Sequence, residues 1–500
     1  MDNQNVNPNE SGVKMTEVDR LAQGRNSYVR PREFFMYGVA NGGQCMSWNM
    51  FSSYITYFFV NLFNVDARIV SAMIFIEGIW DTINDPLMGS LIDKTRTRYG
   101  KLRPYLVGIP IPLAIATMLV FAGPLFFGDL ASDSIVKVMY MIITYFVWET
   151  LYTVGDVAFW GLSSAISPQP SDRTKAIAGA RIISSIAAAP PGLLLPIFID
   201  LVNNNIIDTN LRVIFFIFAA VSSVVGMALF STSGFLIKER VVQSDDEPSF
   251  VECLKVLVTN RPLRLLILKD VLSSLGGIAG VFGTYYMVDV LGSVSISLII
   301  GIPGTILGYI SYAFLPAFKR RFNNKQLLII SKSLSAILSV LKYLLCIGGG
   351  RYKKIVLMSA VMATESTINS LMNSVNSVVT PEMIGETVDY SEWTTGQRTE
   401  GVSFSVLTFV GKFTNAIGRS VGAFLIPYIG YKTSPTGERV VQSLKTQRHI
   451  FAMATAVPAI LGLFGLIPLF RYDLVDEKRK RMFAELELAR AKRAHELNNI

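Results

Sequence analysis

The run Ile79-Trp80-Asp81-Thr82-Ile83-Asn84-Asp85-Pro86 sets two carboxylates inside an otherwise apolar stretch. Asp81 and Asp85 are four residues apart and Asn84 is three from Asp81, so on a helix all three share one face. Pro86 has no N–H to give to the Thr82 carbonyl, which leaves one more oxygen free. The result is a cluster of hard oxygen ligands in low dielectric. A carboxylate in the middle of a membrane helix costs about 2.5–3.5 kcal/mol, and a small cation held between two of them offsets that cost. Oxygen ligands suit Na⁺ or H⁺ by the same logic that assigns them to Ca²⁺ and Mg²⁺. The plainer alternative is that both acids are solvated at the end of the segment, because Asp85 lies only eight residues before Asp93.

A second cluster reads Tyr152-Thr153-Val154-Gly155-Asp156-Val157-Ala158-Phe159-Trp160. Asp156 and Trp160 are four apart and face one way on a helix. A carboxylate accepts two sugar hydroxyls at once, and an indole stacks on the apolar face of a sugar ring. Thr153, one turn away, adds a hydroxyl for a cation. Against this, Asp156 paired with Arg181 and Trp160 in an interface belt would be purely structural. The third feature is Lys412, alone in Leu407-Thr408-Phe409-Val410-Gly411-Lys412. A lysine there must pair with an acid or give up its charge, and Asp81, Asp85 and Asp156 are the acids available. A mixed-charge stretch, with Glu386, Asp389, Glu392, Arg398 and Glu400, suits salt bridges that close a gate, or plain solvation.

The elements that must carry these groups follow from composition. Of 500 residues, 51% are hydrophobic and 17% charged, with a mean hydropathy of +0.42. Soluble domains run near one quarter charged. The charges sit in short blocks between apolar segments near 34–62, 67–92, 105–128, 135–165, 176–203 and 211–236, then 263–291, 293–318, 326–347, 354–380, 401–430 and 449–471. About twelve spans in two sets of six are predicted, each of roughly 20 apolar residues. The two halves, 34–236 and 263–471, flank a polar loop over 237–262, between tails over 1–33 and 472–500.

Basic loops after the second span (Lys94, Arg96, Arg98, Lys101, Arg103) and after the eighth (Lys319, Arg320, Arg321, Lys325) hold matching places in the halves. With the basic tails they put both termini in the cytoplasm of a cell membrane, although the 9–10 and 11–12 loops are also basic. Such repeats place a substrate between them, near the midplane. The C-terminal tail from Val475 reads as a helix that is solvated or lies on the membrane surface.

Several classes are excluded. The net charge of +9 is loop-borne and marks topology rather than nucleic-acid binding. No phosphate-cradling loop with its lysine is present. His449 and His495 are the only histidines, and Cys45, Cys253 and Cys346 lack metal or disulfide spacing. No apolar leader occupies the first 33 residues. An enzyme is not expected, and no organic cofactor.

On these residues the chain resembles the glycoside–pentoside–hexuronide:cation symporters, a branch of the major facilitator superfamily. The marks are Trp80-Asp81, Asn84-Asp85-Pro86, the run Arg98-Tyr99-Gly100-Lys101-Leu102-Arg103-Pro104, Asp156 with Phe159-Trp160, and Thr387-Val388-Asp389-Tyr390. The resemblance implies an all-α fold of two six-helix bundles, from about Phe34 to Leu469, working as a monomer among membrane lipids. It implies Na⁺ ligands at Asp81, Asn84, Asp85 and Thr153. It assigns Asp156, Trp160, Arg181, Thr408 and Lys412 to sugar binding or coupling, with Tyr152 beside them. The expected gate comprises Arg98, Lys101, Arg103, Glu386, Asp389 and Arg398. Two departures bear on the substrate. The first span has Gln44-Cys45 where the melibiose permease of this family has a Lys-Asp pair, and Ser377 stands where the family has a sugar-lining Trp. Asn41, Gln44, Trp48 and Asn49 form the binding face of the first span instead. The expectation is cation-coupled sugar symport. A lysolipid symporter and a non-transporting receptor or scaffold are the alternatives.

Overall fold

The computed structural model describes residues 29–498 apart from 96, 168–169, 188, 241–259, 373–374, 396–399 and 435–439. The regular structure of the described residues is helical, apart from one isolated bridge between Thr97 and Gly100. The first half comprises α1 (Pro31–Tyr57, extended by a π turn over Phe58–Leu62), α2 (Ala67–Lys94), α3 (Pro110–Phe127), α4 (Ile135–Ala165), α5 (Pro170–Ala187), α6 (Ala189–Asn203) and α7 (Leu211–Leu236). The second comprises α8 (Arg261–Ser273), α9 (Ile278–Tyr285), α10 (Ile296–Arg321), α11 (Asn324–Ile347), α12 (Ile355–Ser370), α13 (Thr380–Thr395), α14 (Glu400–Leu425), α15 (Leu444–Ala454) and α16 (Ala456–Gly462). A last helix, α17, covers Asp476–Asn498.

Among the described residues eight segments are long and apolar enough to cross a membrane, or nine if the bent pair Ile296–Tyr312 and Phe314–Arg321 counts as one span. Besides the charged C-terminal α17, three long helices fall outside that set: α1, α2 and α14. They are the ones that carry Gln44, the Asp81–Asp85 pair and Lys412. A helix that turns polar residues into the protein interior trades away the apolar signature of a lipid-facing span.

Small residues let these helices approach. A side chain at Gly43 of α1 would meet the Gly226 carbonyl of α7 at 2.2 Å, and one at Gly78 of α2 would lie 2.1 Å from the Ala416 Cβ of α14. Close approach between small residues is how helices associate where lipid competes for apolar contact. The second contact joins the two halves. It is flanked by Ser71, whose hydroxyl donates to the Ser420 carbonyl (2.8 Å), while Ser420 donates back to the Ser71 carbonyl (2.9 Å). Thus α2 and α14 run antiparallel along the interface. Behind them, Phe51 stacks on Trp148 with centroids 3.5 Å apart, and the Trp148 N–H donates to Thr117 (2.9 Å). This aromatic block backs α1 and α4 and fixes the faces they present.

The C-terminal helix differs from expectation. It does not lie free. Met482 and Leu486 are buried against the second half, Arg479 reaches Glu386 at 2.8 Å, and Trp393 donates to Glu485 at 2.7 Å. Two apolar residues four apart are enough to dock a helix that is otherwise charged.

Candidate functional site

Helix α2 presents Asp81, Asn84 and Asp85 to the interface as their spacing requires. Lys412, on α14, reaches across the halves and donates to both acids, to Asp81 Oδ1 at 3.1 Å and Asp85 Oδ2 at 2.5 Å. Its ammonium therefore sits where a bound cation would sit. Asp156 is not a partner of Lys412 here. Asn84 is fully buried, and neither its Oδ1 nor its Nδ2 has a hydrogen-bond partner. An unsatisfied buried amide costs about 1–3 kcal/mol, and a cation that takes its oxygen removes part of that cost. Thr153 is buried at 2% exposure and lines the same cavity as Asp81 and Lys412. The donors present, two carboxylates, an amide oxygen and a hydroxyl, fit a hard monovalent cation carried as cargo.

That cavity holds about 200 Å³ and is lined by Trp48, Asp81, Tyr152, Thr153, Asp156 and Lys412, among others. The carboxylate of Asp156 accepts from Gln44 Nε2 (2.6 Å) and from the Trp160 indole N–H (3.1 Å). Gln44 also approaches the Tyr152 hydroxyl at 3.5 Å, and its Oε1 is buried without a partner. Arg181 does not pair with Asp156. Its guanidinium lies 4.7 Å over the Trp160 ring, a cation–π contact that orients the indole. Trp48 and Tyr152 pack ring to ring at 4.8 Å. One wall is thus aromatic and the other carries hydroxyl and carboxylate groups, which matches the two faces of a sugar ring. The side chain of Thr408, like those of Thr82 and Pro86, lies outside the described residues, as does Arg398.

The described contacts of Arg98, Arg103 and Glu386 lie within their own halves. The Glu239 carboxylate accepts the backbone N–H groups of Lys101, Leu102 and Arg103 (2.9–3.0 Å). Gly100, at φ +114°, supplies the left-handed turn this needs, and a Cβ there would strike that carboxylate at 2.4 Å. Arg103 also donates to the Gly234 carbonyl at 2.8 Å, and Arg98 lies over Tyr99. Glu386 binds Arg479 and Asn324 of its own half, and Asp389 lies one turn further along α13. The polar links between halves cluster at the opposite end. Asn61 donates to Tyr285 (3.1 Å) and accepts from Tyr431 (2.9 Å), and Thr433 donates to Asn64 (3.1 Å). Asp200 accepts from the backbone N–H groups of Val294 (2.7 Å) and Ser295 (2.9 Å) and from the Ser293 and Ser295 hydroxyls. From that end, hydrogen bonds across the halves continue through Ser71–Ser420 and Arg419–Tyr145 to Lys412.

Three charged groups on the cavity wall escaped the sequence reading: Glu77, Glu149 and Arg419. Their signal was present. Glu77 lies four before Asp81, Glu149 four before Thr153 and Arg419 seven beyond Lys412, the spacings that share a helix face.

A family model described as MFS/sugar transport protein matches residues 36–476. The chain belongs to that family. Similar members include the isoprimeverose transporter of Lactiplantibacillus pentosus, 25% identical over 91% of this chain and 91% of that one. The inner membrane symporter YicJ of Escherichia coli (strain K12) is 25% identical over 94% and 97%. Among solved structures, the nucleoside transporter NupG superposes with a TM-score of 0.57 at 13% identity, over 87% of this chain and 99% of that one. This last likeness concerns the fold. Membership in a sugar transport family makes the chain a multi-pass transporter and does not favour the lysolipid and receptor alternatives.

Proposed function

We propose that this protein is a secondary symporter that moves a sugar or glycoside together with a cation. The cation binds at Asp81, Asn84, Asp85 and Thr153, and the sugar binds between Trp160, Trp48 and the Asp156–Gln44 pair. The observation that carries this reading is Lys412. An internal ammonium bridges two intramembrane carboxylates beside an amide with no partner of its own, so the site is already a cation site. An entering Na⁺ takes over the carboxylates and frees Lys412 to turn toward Asp156 and the sugar. Coupling then follows from charge. Carboxylates left bare in low dielectric penalise reorientation with the cation alone missing.

The halves are joined at the end away from both tails, so the conformation is closed on that face. With the tails in the cytoplasm, it is the inward-facing state of an alternating-access cycle. The residues around Arg98, Lys101, Arg103, Glu386 and Asp389 would meet across the halves in the opposite state.

Uptake into proteoliposomes tests the proposal. Labelled glycosides, pentosides and uronides, isoprimeverose among them, are presented under Na⁺, Li⁺ or H⁺ gradients. Accumulation that follows one of these gradients is expected. Uptake indifferent to all three removes the symport reading.

A further inference from the structure

A second polar tier lies one helical turn from the Lys412 site, toward the closed end. Asp66 of the loop before α2 donates its N–H to Ser132, just before α4 (3.1 Å), so α2 and α4 start at the same end and run parallel. Helix α14 runs against them. Glu77, Glu149 and Arg419 therefore arrive at one level from three helices, and all three line the cavity.

Glu149 is the unusual member. It is 2% exposed, and its Oε2 is buried with no hydrogen-bond partner. The charges that act on it are Glu77 and Asp81 from α2, and Lys412 and Arg419 from α14. On its own helix it faces Tyr145 and Tyr152, and α1 brings the Cys45 thiol close to Tyr152. Helix α3, packed behind, offers no titratable group. Arg419 donates to the Tyr145 hydroxyl at 3.5 Å and makes no ion pair with Glu149. Four carboxylates face this cavity, against two cationic side chains. Lys412 is spent on the Asp81–Asp85 pair, so the excess negative charge falls on the second tier.

A buried carboxylate oxygen with an unused lone pair takes either a cation or a proton. The tier is a poor metal site, because the Arg419 guanidinium already brings a fixed positive charge to it. A proton needs one lone pair and no ligand set. We propose that Glu149 is a proton-binding site of the carrier, separate from the Asp81–Asp85 site. The proton is taken from water in the cavity, bonds to Oε2 and returns to water, with no other bond made or broken. This rests on the symport reading and adds to it a second coupling position.

The test is infrared spectroscopy of the purified full chain in lipid, in H₂O and D₂O at neutral pH, with ²²Na⁺ binding measured on the same samples. The expected result is a deuterium-sensitive C=O band of a neutral carboxylic acid that vanishes in Glu149→Gln and persists in Asp85→Asn and Glu77→Gln. ²²Na⁺ binding by Glu149→Gln certifies its fold. If that variant does not fold, Glu149→Asp serves instead, and the band must change frequency. A band unmoved by either change, or lost only in Glu77→Gln, overturns the proposal. Absence of ²²Na⁺ binding in the unmutated protein is a different failure, of the Na⁺-coupled reading alone.

Discussion

The Nζ of Lys412 lies 2.5 Å from Asp85 Oδ2, across the boundary between the two halves. The same nitrogen reaches Asp81 at 3.1 Å. A cation entering this site must displace Lys412, so the lysine is both the placeholder and the competitor. Lys412→Met removes the competitor. Na⁺ affinity is expected to rise about tenfold or more, the equivalent of about 1.4 kcal/mol, while gradient-driven sugar accumulation is lost. Without Na⁺ the variant leaves two carboxylates unpaired and is destabilised by about 1–3 kcal/mol. That is less than a fully buried pair would lose, because 31% of the Lys412 side chain reaches solvent. Calorimetric titration with NaCl and melting curves with and without Na⁺ check both halves of this. Unchanged Na⁺ affinity would separate the lysine from the cation site.

Asn84 separates folding from function. Its amide is fully buried and bonds to nothing, so in the cation-free protein it contributes only its desolvation cost. Asn84→Leu keeps the volume and removes that cost. The expected outcome is a gain of about 1–3 kcal/mol in cation-free stability, with Na⁺ binding and Na⁺-driven uptake strongly reduced. A variant that is stabilised and still binds Na⁺ normally would exclude Asn84 from the ligand set.

Much of this site was legible because intramembrane charge is expensive, and expense is visible in a sequence. Asp81, Asp85 and Lys412 stood out as ions in apolar runs, and helical spacing alone put the acids on one face. Which acid Lys412 would choose was not legible, because α14 and α2 meet through Gly78 and Ala416, a packing contact with no one-dimensional trace. The structural alternative that paired Arg181 with Asp156 does not hold: Gln44 holds the carboxylate and Arg181 lies over Trp160. Gln44 is a first-span residue whose reach depends on the Gly43–Gly226 approach. The C-terminal helix looked solvated because its composition is charged. Its docking depends on Met482 and Leu486, too few to register in a periodicity. Glu77 and Glu149 needed only the search that found Asp81, extended by one turn.

Gln44 holds Asp156 by a 2.6 Å hydrogen bond to a carboxylate, a class of contact that contributes about 1.5–3 kcal/mol. Gln44→Ala frees Asp156 to rotate and leaves Trp160 as its one described donor. The KM for the sugar is expected to rise by about 10–100-fold, with the Na⁺ affinity of the sugar-free protein unchanged, because Gln44 touches none of the cation ligands. Gln44→Glu places a like charge at 2.6 Å and is expected to lose more. Equal loss of sugar and Na⁺ binding in Gln44→Ala would argue against two adjoining sites with separate walls.

The closed end is held largely by Asp200, whose carboxylate accepts two backbone N–H groups and two hydroxyls from Ser293, Val294 and Ser295 of the other half. Each such bond contributes about 0.5–1.5 kcal/mol net. Asp200→Ala removes all four and leaves the hydroxyls free to meet water, so a loss of about 2–3 kcal/mol is expected for this conformation alone. A shift of that size moves a two-state equilibrium by roughly 30–150-fold toward the state open on this face. Spin labels at Asp208 and Tyr428, with Cys45, Cys253 and Cys346 replaced by serine, read the separation of the halves at this end. The distance distribution is expected to move to longer values in Asp200→Ala and to stay short in Asp208-labelled protein that keeps Asp200. Transport should slow as well, because a carrier that rests open on one face returns less often to the other. A distribution identical to that of the parent would mean that Asn61, Tyr285 and Tyr431 close this face without Asp200.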